Sequence, residues 1–172
     1  MGFGGIIATG ITIIVLILTG YLIIATLANS VDSANAASAA VRDAAESRMH
    51  TALAVASVVK VDENALSFEV INTGETAISN VTLIDVFVMP VSGGRVDSCE
   101  YLPFADDASH DVPDHWYVVE WAGRNVGDYY LLEPGDRISI RCEFQDHVPD
   151  NQAGYVKVAA PNGVQALQSY KY

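Results

Sequence analysis

The sequence predicts a mainly β protein, an immunoglobulin-like β-sandwich preceded by one long N-terminal transmembrane and stalk α-helix. Three observations support this fold class. No charged side chain occurs before Asp32, so the chain begins with an apolar segment. Residues 30–50 are rich in alanine and contain neither glycine nor proline. From Thr51 onward, short runs of alternating apolar and polar residues are separated by turn residues, a pattern typical of β-strands. We therefore expect a helical part, 1–50, and an extracytoplasmic sandwich, 51–172.

The apolar segment spans residues 3–29. A helix needs roughly 20 apolar residues to cross a bilayer, and this run is longer. A secretory signal peptide has a basic region before an apolar core of about 7–15 residues, whereas only Met1 and Gly2 precede this run. We expect a permanent single-pass anchor in the cell membrane, with its N-terminus inside and the sandwich outside.

The alanine-rich residues 30–50 predict that the helix continues beyond the membrane as a stalk, since alanine is the strongest helix former. Small apolar side chains recur there at steps of three or four residues, which favours a close helix–helix contact. A solvated spacer is the alternative interpretation. The stripe consists of Val31, Ala34, Ala37, Val41, Ala44 and Ala45.

Seven runs are predicted as strands of the sandwich. Tight-turn sequences separate several of them, including Asn72–Glu75 and Glu133–Asp136. Short strands at this spacing, with no helical period among them, predict a sandwich. The runs are 53–61, 65–71, 77–89, 116–122, 136–144, 154–160 and 164–169.

Residues 91–115 interrupt this pattern as a long acidic loop. Loops of this length in a compact domain usually bind a ligand or move. Clustered carboxylates could supply oxygen ligands to calcium, His110 and His115 could bind zinc, and a merely solvated loop is the third interpretation. The weak calcium candidates are Asp106, Asp107, Asp111 and Asp114.

Two further features bear on the compartment. Cys99 and Cys142 are a disulfide candidate, as expected in an oxidising environment; two unpaired buried thiols are the alternative. Asn80 opens an Asn-Val-Thr triplet and is a glycosylation candidate. Strict strand alternation places Asn80 on the core face, where a glycan fits only at a bulge.

Charge and motifs exclude several function classes. The chain has 9 Lys and Arg against 21 Asp and Glu, for a net charge of −12. Nucleic-acid binding needs a basic face, so we expect no nucleic-acid partner. The sequence contains no nucleophile elbow, phosphate-binding glycine loop, His-Glu-x-x-His motif or closely spaced cysteine pair. We therefore predict a binding or structural protein without catalytic residues or a cofactor, and not an enzyme.

Several segments of the chain resemble the archaellum protein F family (FlaF/ArlF), which is a stator component of the archaeal swimming motor. Met1–Gly4 leads directly into the membrane helix, and Arg42-Asp43 precedes the β domain. The resemblance covers about residues 1–90 and, more loosely, 128–142, while Cys99–Trp121 looks like an insertion. The matching segments of the β domain are Thr51–Val55, Leu66–Ile71, Asn72–Ser79, Leu132–Asp136 and Ile138–Ile140.

The resemblance implies a sandwich that lies between the membrane and the surface layer. There it would bind the surface-layer protein and give the rotating filament a fixed bearing. The resemblance also implies archaellum protein G as a companion and a homo-oligomer. One rival is an archaellin- or pilin-like filament subunit, which polymerises through its N-terminal helix after a leader is removed. A second rival is a membrane-tethered adhesion or ligand-binding sandwich without a motor role.

Overall fold

The computed structural model describes residues 3–92, 94–106, 114–122, 124–126, 129–145 and 153–171. The chain divides into two compact units, Met1–Ala45 and Glu46–Tyr172. One long helix precedes antiparallel β-sheets. The predicted fold class, a β-sandwich after an N-terminal helix, is therefore confirmed.

The helix, α1, spans Phe3–His50 and is long and apolar enough to cross a membrane. Its apolar side chains over the first thirty residues are mostly more than half exposed. Several threonine hydroxyls of the helix donate hydrogen bonds to its own backbone. Those of Thr9 and Thr12 each donate to the carbonyl four residues earlier at 2.9 Å, and that of Thr19 does so at 2.8 Å. Such bonds lower the free-energy cost of placing these hydroxyls in lipid, because the hydroxyls are no longer unpaired.

The described residues of the second unit contain eleven strands and one short 3-10 turn, Val81–Leu83. The strands are β1 Leu53–Asp62, β2 Ala65–Asn72, β3 Asp85–Ser92, β4 Arg95–Val96, β5 Glu100–Leu102, β6 His115–Trp121, β7 Arg124–Val126, β8 Tyr129–Leu131, β9 Arg137–Glu143, β10 Ala153–Ala159 and β11 Gln165–Lys171.

The strands form two main sheets. Sheet I has the order β1-β2-β9-β6, and sheet II has the order β11-β10-β3-β4, with β5 also pairing with β3. Strands β7 and β8 form a separate hairpin. Two backbone bonds join the sheets along one side: the N–H of Trp116 donates to the carbonyl of Pro103 at 3.0 Å, and that of Ala105 to the carbonyl of Trp116 at 2.9 Å.

The core lies between the inner faces of the two sheets. Sheet I contributes Phe68 and Trp116, both buried, and sheet II contributes alternate valines of β3 and β10. Burying an aliphatic or aromatic side chain of this size contributes about 1.5–3 kcal/mol. The period-2 alternation of the sequence therefore corresponds to alternate burial along these strands. The fully buried valines of sheet II are Val86, Val156 and Val158.

The predicted strand 77–89 is wrong in its first half. Ile78 forms only an isolated bridge with Leu132, and β3 begins at Asp85. Asn80 interrupts the strand because its Oδ1 atom accepts hydrogen bonds from the Thr82 backbone N–H at 3.1 Å and hydroxyl at 2.7 Å. Asparagine side chains compete with ladder pairing in this way. The predicted loop 91–115 is also partly strand, since β4 and β5 both pair with β3.

Candidate functional site

The end of α1 is bonded to the turn that follows β2. Residues 46–50 of the helix belong to the same compact unit as the sandwich. The carbonyl of His50 accepts hydrogen bonds from the backbone N–H groups of Glu75 at 2.7 Å and Thr76 at 3.1 Å. The Nδ1 atom of His50 lies 2.8 Å from Glu75 Oε2. Because the last carbonyls of a helix have no partner within it, this turn completes the end of α1.

A second loop, between β10 and β11, binds the same helical turn. The Asn162 Nδ2 atom donates to Ser47 Oγ at 3.2 Å and to Thr51 Oγ1 at 2.8 Å. The Asn162 carbonyl accepts from Arg48 Nε at 2.8 Å. Thr51 is buried, and its hydroxyl donates to the Ser47 carbonyl at 2.7 Å. The helix end is thus held by two loops of the sandwich that lie far apart in sequence.

Two residues of the turn after β2 make this arrangement possible. Asn72 is fully buried, and its Nδ2 atom donates to the carbonyls of Thr76 at 2.9 Å and Leu132 at 3.0 Å. A Cβ atom on Gly74 would lie 2.3 Å from the Ala52 nitrogen and 2.6 Å from the His50 carbonyl oxygen. Only glycine therefore lets this turn approach the helix end so closely.

The outer face of sheet I carries several paired charged side chains beside the exposed Val59. Arg141 Nη2 donates to Asp62 Oδ2 at 2.6 Å, and its Nε atom forms an ion pair with Glu143 Oε1 at 3.3 Å without hydrogen-bond geometry. The Tyr117 hydroxyl donates to the same Glu143 oxygen at 2.9 Å. Arg137 lies 3.9 Å from a carboxylate oxygen of Glu69. Charges on this face are therefore largely compensated within the protein.

The outer face of sheet II is apolar by comparison. Register places Tyr101, Phe87, Lys157 and Leu167 side by side across four strands. The Phe87 and Tyr101 ring centroids are 5.5 Å apart, and Lys157 Nζ lies 5.5 Å from the Phe87 centroid. We call this surface the sheet II patch; it consists of Phe87, Met89, Tyr101, Tyr155, Lys157 and Leu167, all exposed or half-buried.

The predicted metal candidates are not brought together in the part of the chain that the structure describes. Asp106 is exposed. Asp114 has a positive φ of 54° and accepts a hydrogen bond from the Gln145 N–H at 2.9 Å. Asp107 and Asp111 lie outside the described residues, as does His110. Among the described side chains, no group of three or more His, Cys, Asp or Glu could hold a metal ion.

His115, one of the two zinc candidates of the predicted loop, is buried in a strand. It is the first residue of β6, is almost fully buried, and stacks on Tyr117 with ring centroids 5.8 Å apart. Neither ring nitrogen has a hydrogen-bond partner among the described residues. His115 begins β6 directly before the fully buried Trp116. Its position beside this core residue accounts for its burial.

The two cysteines are both free thiols, so the candidate bridge is not formed in this structure. Cys99 is exposed just before β5, whereas Cys142 is fully buried inside β9, where it pairs with Leu66 and Trp116. Burial raises the pKa of the Cys142 thiol. The glycosylation candidate Asn80 is half-buried and caps the 3-10 turn instead of lying in a strand.

The sheet II patch and the bonded helix end were not found by sequence reasoning. A signal for the patch is present in β3, where Phe87 and Met89 alternate with the buried Val86 and Val88, so the strand is apolar on both faces. A strand of a two-sheet sandwich normally has one polar face. No comparable signal marks Asn162, because its partners Ser47 and Thr51 are more than a hundred residues away.

Two solved structures with TM-scores above 0.5 support the fold. The archaellum periplasmic stator protein FlaG from Sulfolobus acidocaldarius is similar with a TM-score of 0.54 and 19% identity, covering 70% of this chain and 99% of that chain. The stator protein complex of FlaF and FlaG from the same organism gives 0.53 and 19%, covering 69% and 87%. The flagellin FlaB1 from Methanocaldococcus jannaschii gives 0.47 and 11%, covering 70% and 90%.

No curated protein matches the sequence. The model of the archaeal-type flagellin family, however, matches residues 2–169, which include both the helix and the sandwich. The match therefore extends over both parts of the architecture described above. This chain belongs to the archaeal-type flagellin family.

Proposed function

We propose that the chain is a stator subunit of the archaellum that is anchored in the membrane by residues 3–29. Its sandwich binds the surface-layer protein and so provides a fixed bearing for the rotating filament. The observation that carries the proposal is the bonded helix end: a helix apolar enough to span a membrane ends in a turn held by two sandwich loops. These bonds hold residues 47–51, at the helix end, within the same compact unit as the sandwich. A bearing that is attached through a helix needs its binding domain to hold the end of that helix.

The family assignment supports a place in the archaellum, and the sheet II patch supports a binding role. Two similar solved structures are titled as archaellum periplasmic stator proteins, one of them a complex of FlaF and FlaG. By analogy we propose archaellum protein G as a companion and a homo-oligomeric state. Their identity to this chain is 19%, so the analogy rests on a shared fold.

We further propose that the N-terminus is inside the cell and the sandwich outside. Cys99 is exposed and gives a direct probe of this orientation. A membrane-impermeant maleimide added to intact cells should label the wild-type chain and leave the Cys99→Ser variant unlabelled. Labelling that appears only after lysis would show the opposite orientation, with the sandwich inside the cell.

Binding to the surface-layer protein is the direct test of the proposed function. Full-length chain in lipid nanodiscs is titrated with isolated surface-layer protein, and empty nanodiscs serve as the control. We expect saturable binding at or below tens of micromolar. The absence of binding in that range would refute the stator role as stated.

The second candidate function is that of a filament subunit polymerising through its N-terminal helix. The observation in its favour is the match to the archaeal-type flagellin family over residues 2–169, helix included. Mass spectrometry of the native N-terminus distinguishes the two candidates. An end that is intact or lacks only Met1 favours the stator, and removal of a leader favours the filament subunit.

A further inference from the structure

The outer faces of the two sheets differ in a way that the core does not require. On sheet I, the arginines are paired with carboxylates. On sheet II, aromatic and aliphatic side chains lie along one row: Tyr101 at one end is 54% exposed and Leu167 at the other is 59% exposed. Contiguous exposed apolar surface on a soluble domain usually marks an interaction site.

The centre of the sheet II patch carries a cation, Lys157, that forms no ion pair with the described carboxylates. Lys157 lies between Phe87 and Leu167 across the sheet, and its Nζ atom faces the Phe87 ring. It has no ion pair within the part of the chain that the structure describes. In a chain of net charge −12, a cation that is flanked across the sheet by Phe87 and Leu167 and that has no ion pair among the described residues is suited to a carboxylate from another molecule.

We propose that the sheet II patch is the surface through which the sandwich binds its protein partner. The partner presents a flat apolar surface and places a carboxylate opposite Lys157. Burial of the aromatic and aliphatic side chains supplies the binding free energy, and the pairing with Lys157 sets the register. The inference rests on the proposed function for the partner's identity, the surface-layer protein.

A protein fits this surface better than a lipid headgroup does. An anionic membrane would repel a chain of this net charge. The patch also exposes Tyr101 and Tyr155 beside Phe87 and Met89, and aromatic residues and methionine are enriched at protein interfaces. A second copy of the chain is the other protein occupant, and the measurements below detect it.

Matched variants test the patch in the nanodisc binding assay. Leu167→Ser and Lys157→Glu change the patch. Leu83→Ser and Arg137→Glu make the same changes elsewhere, since Leu83 is 60% exposed on the 3-10 turn and Arg137 is exposed on sheet I. We expect each patch variant to lose tenfold or more in affinity while the controls bind like wild type. If wild type binds and the patch variants bind equally well, the inference is wrong and the proposed function stands.

A second measurement does not depend on which partner is chosen. In a Cys99→Ser background, Leu167→Cys and Leu83→Cys are labelled with a membrane-impermeant maleimide in intact cells and as purified chain in nanodiscs. We expect the Leu167→Cys thiol to react at least tenfold more slowly in cells, and Lys157→Glu to restore its rate. The Leu83→Cys thiol should react equally in both.

The two measurements separate the possible failures. In one case, no binding to surface-layer protein is found, yet the Leu167→Cys thiol is protected in cells and Lys157→Glu removes that protection. The patch is then still an interface, but the proposed function is refuted. In another case, the Leu167→Cys thiol is also protected in purified chain at high concentration, and light scattering shows dimers. The patch then binds a second copy of the chain, and the proposed partner is wrong. Equal labelling at both positions in cells overturns the inference outright.

Discussion

The side-chain amide of Asn162 donates a 2.8 Å hydrogen bond to the hydroxyl of Thr51, a residue 111 positions earlier in the chain. Thr51 follows directly on α1, and Asn162 lies between β10 and β11. The bond therefore connects the end of the helix to the far end of the sandwich sequence. It makes the helix end part of the cooperative unit, and its removal should be measurable as a loss of stability.

Replacing Asn162 with alanine removes the donors to Ser47 and Thr51. Since a net intramolecular hydrogen bond contributes about 0.5–1.5 kcal/mol, we expect the free energy of unfolding to fall by about 1–2 kcal/mol. Urea unfolding of the full chain in micelles, followed by tryptophan fluorescence, measures it. Gln165→Ala, at an exposed position of β11, is the control. Equal stability of the two variants would contradict the account of the junction.

Replacing Gly74 with alanine should destabilise the junction sterically. The new methyl group would lie within 2.6 Å of the His50 carbonyl oxygen and closer still to the Ala52 nitrogen, and such overpacking typically costs about 1–3 kcal/mol. Limited proteolysis should then cut near residues 50–52 at a higher rate. Gly135→Ala is the comparison, because its φ is +87° but nothing lies within 4 Å of its Cβ position. If cleavage near residues 50–52 became faster in Gly135→Ala but not in Gly74→Ala, the prediction would be wrong.

Asn72→Ala should be the most destabilising of the asparagine variants. Its amide serves the carbonyls of Thr76 and Leu132 inside the core, and leaving buried polar groups unpaired costs about 1–3 kcal/mol each. We expect a loss of roughly 2–4 kcal/mol in the same unfolding assay. Asn64→Ala, in the exposed turn between β1 and β2, should change stability little. A loss no greater than that of Asn64→Ala would refute the role of Asn72.

The cysteines should differ sharply in reactivity. Cys99 is exposed and Cys142 is fully buried with a raised thiol pKa, and the thiolate is the reactive form. Mass spectrometry after maleimide treatment without reductant should show one label on the folded chain and two in denaturant. No label in denaturant would mean that the two are bridged in the isolated protein.

Stability should fall at alkaline pH in part because of Tyr170. Burial, then the charges of Glu100 and Cys142, raise the pKa of Tyr170 to about 12, against roughly 10 in an unfolded chain. The folded state holds the phenol proton more tightly, so this contribution is complete below about pH 10 and is lost as the pH rises toward 12. Urea unfolding between pH 8 and 12 should show a smaller alkaline decline in Tyr170→Phe than in wild type. An identical decline would exclude Tyr170 as a cause.

The regular parts of the molecule could be predicted because local patterns determine them. The charge-free run of residues 3–29 and the alanines that follow specify α1, and period-2 alternation specifies strands such as β2, β9 and β10. The prediction of a strand from residue 77 was wrong because Asn80 binds its own local backbone. The alternation of apolar and polar residues over Val81–Leu83 could not show that the Asn80 side chain competes with strand pairing.

The surfaces could not be predicted because they depend on pairings between distant segments. Phe87, Tyr101, Lys157 and Leu167 come from four strands, and only the sheet order brings them into one row. Likewise, Gly74 looks like an ordinary turn glycine until the helix end lies against it. Candidates chosen by residue type did not reveal either surface: Asp106 is exposed, and Cys99 lies two residues before Tyr101 without being part of the patch.

The central claim is that the chain acts as a membrane-anchored stator that contacts the surface layer. The most direct measurement is affinity purification of the full chain from solubilised native membranes, followed by quantitative mass spectrometry of what is retained. We expect surface-layer protein to be enriched over filament subunits, and the enrichment to fall in the Lys157→Glu variant but not in Arg137→Glu. Enrichment of filament subunits without surface-layer protein would contradict the central claim.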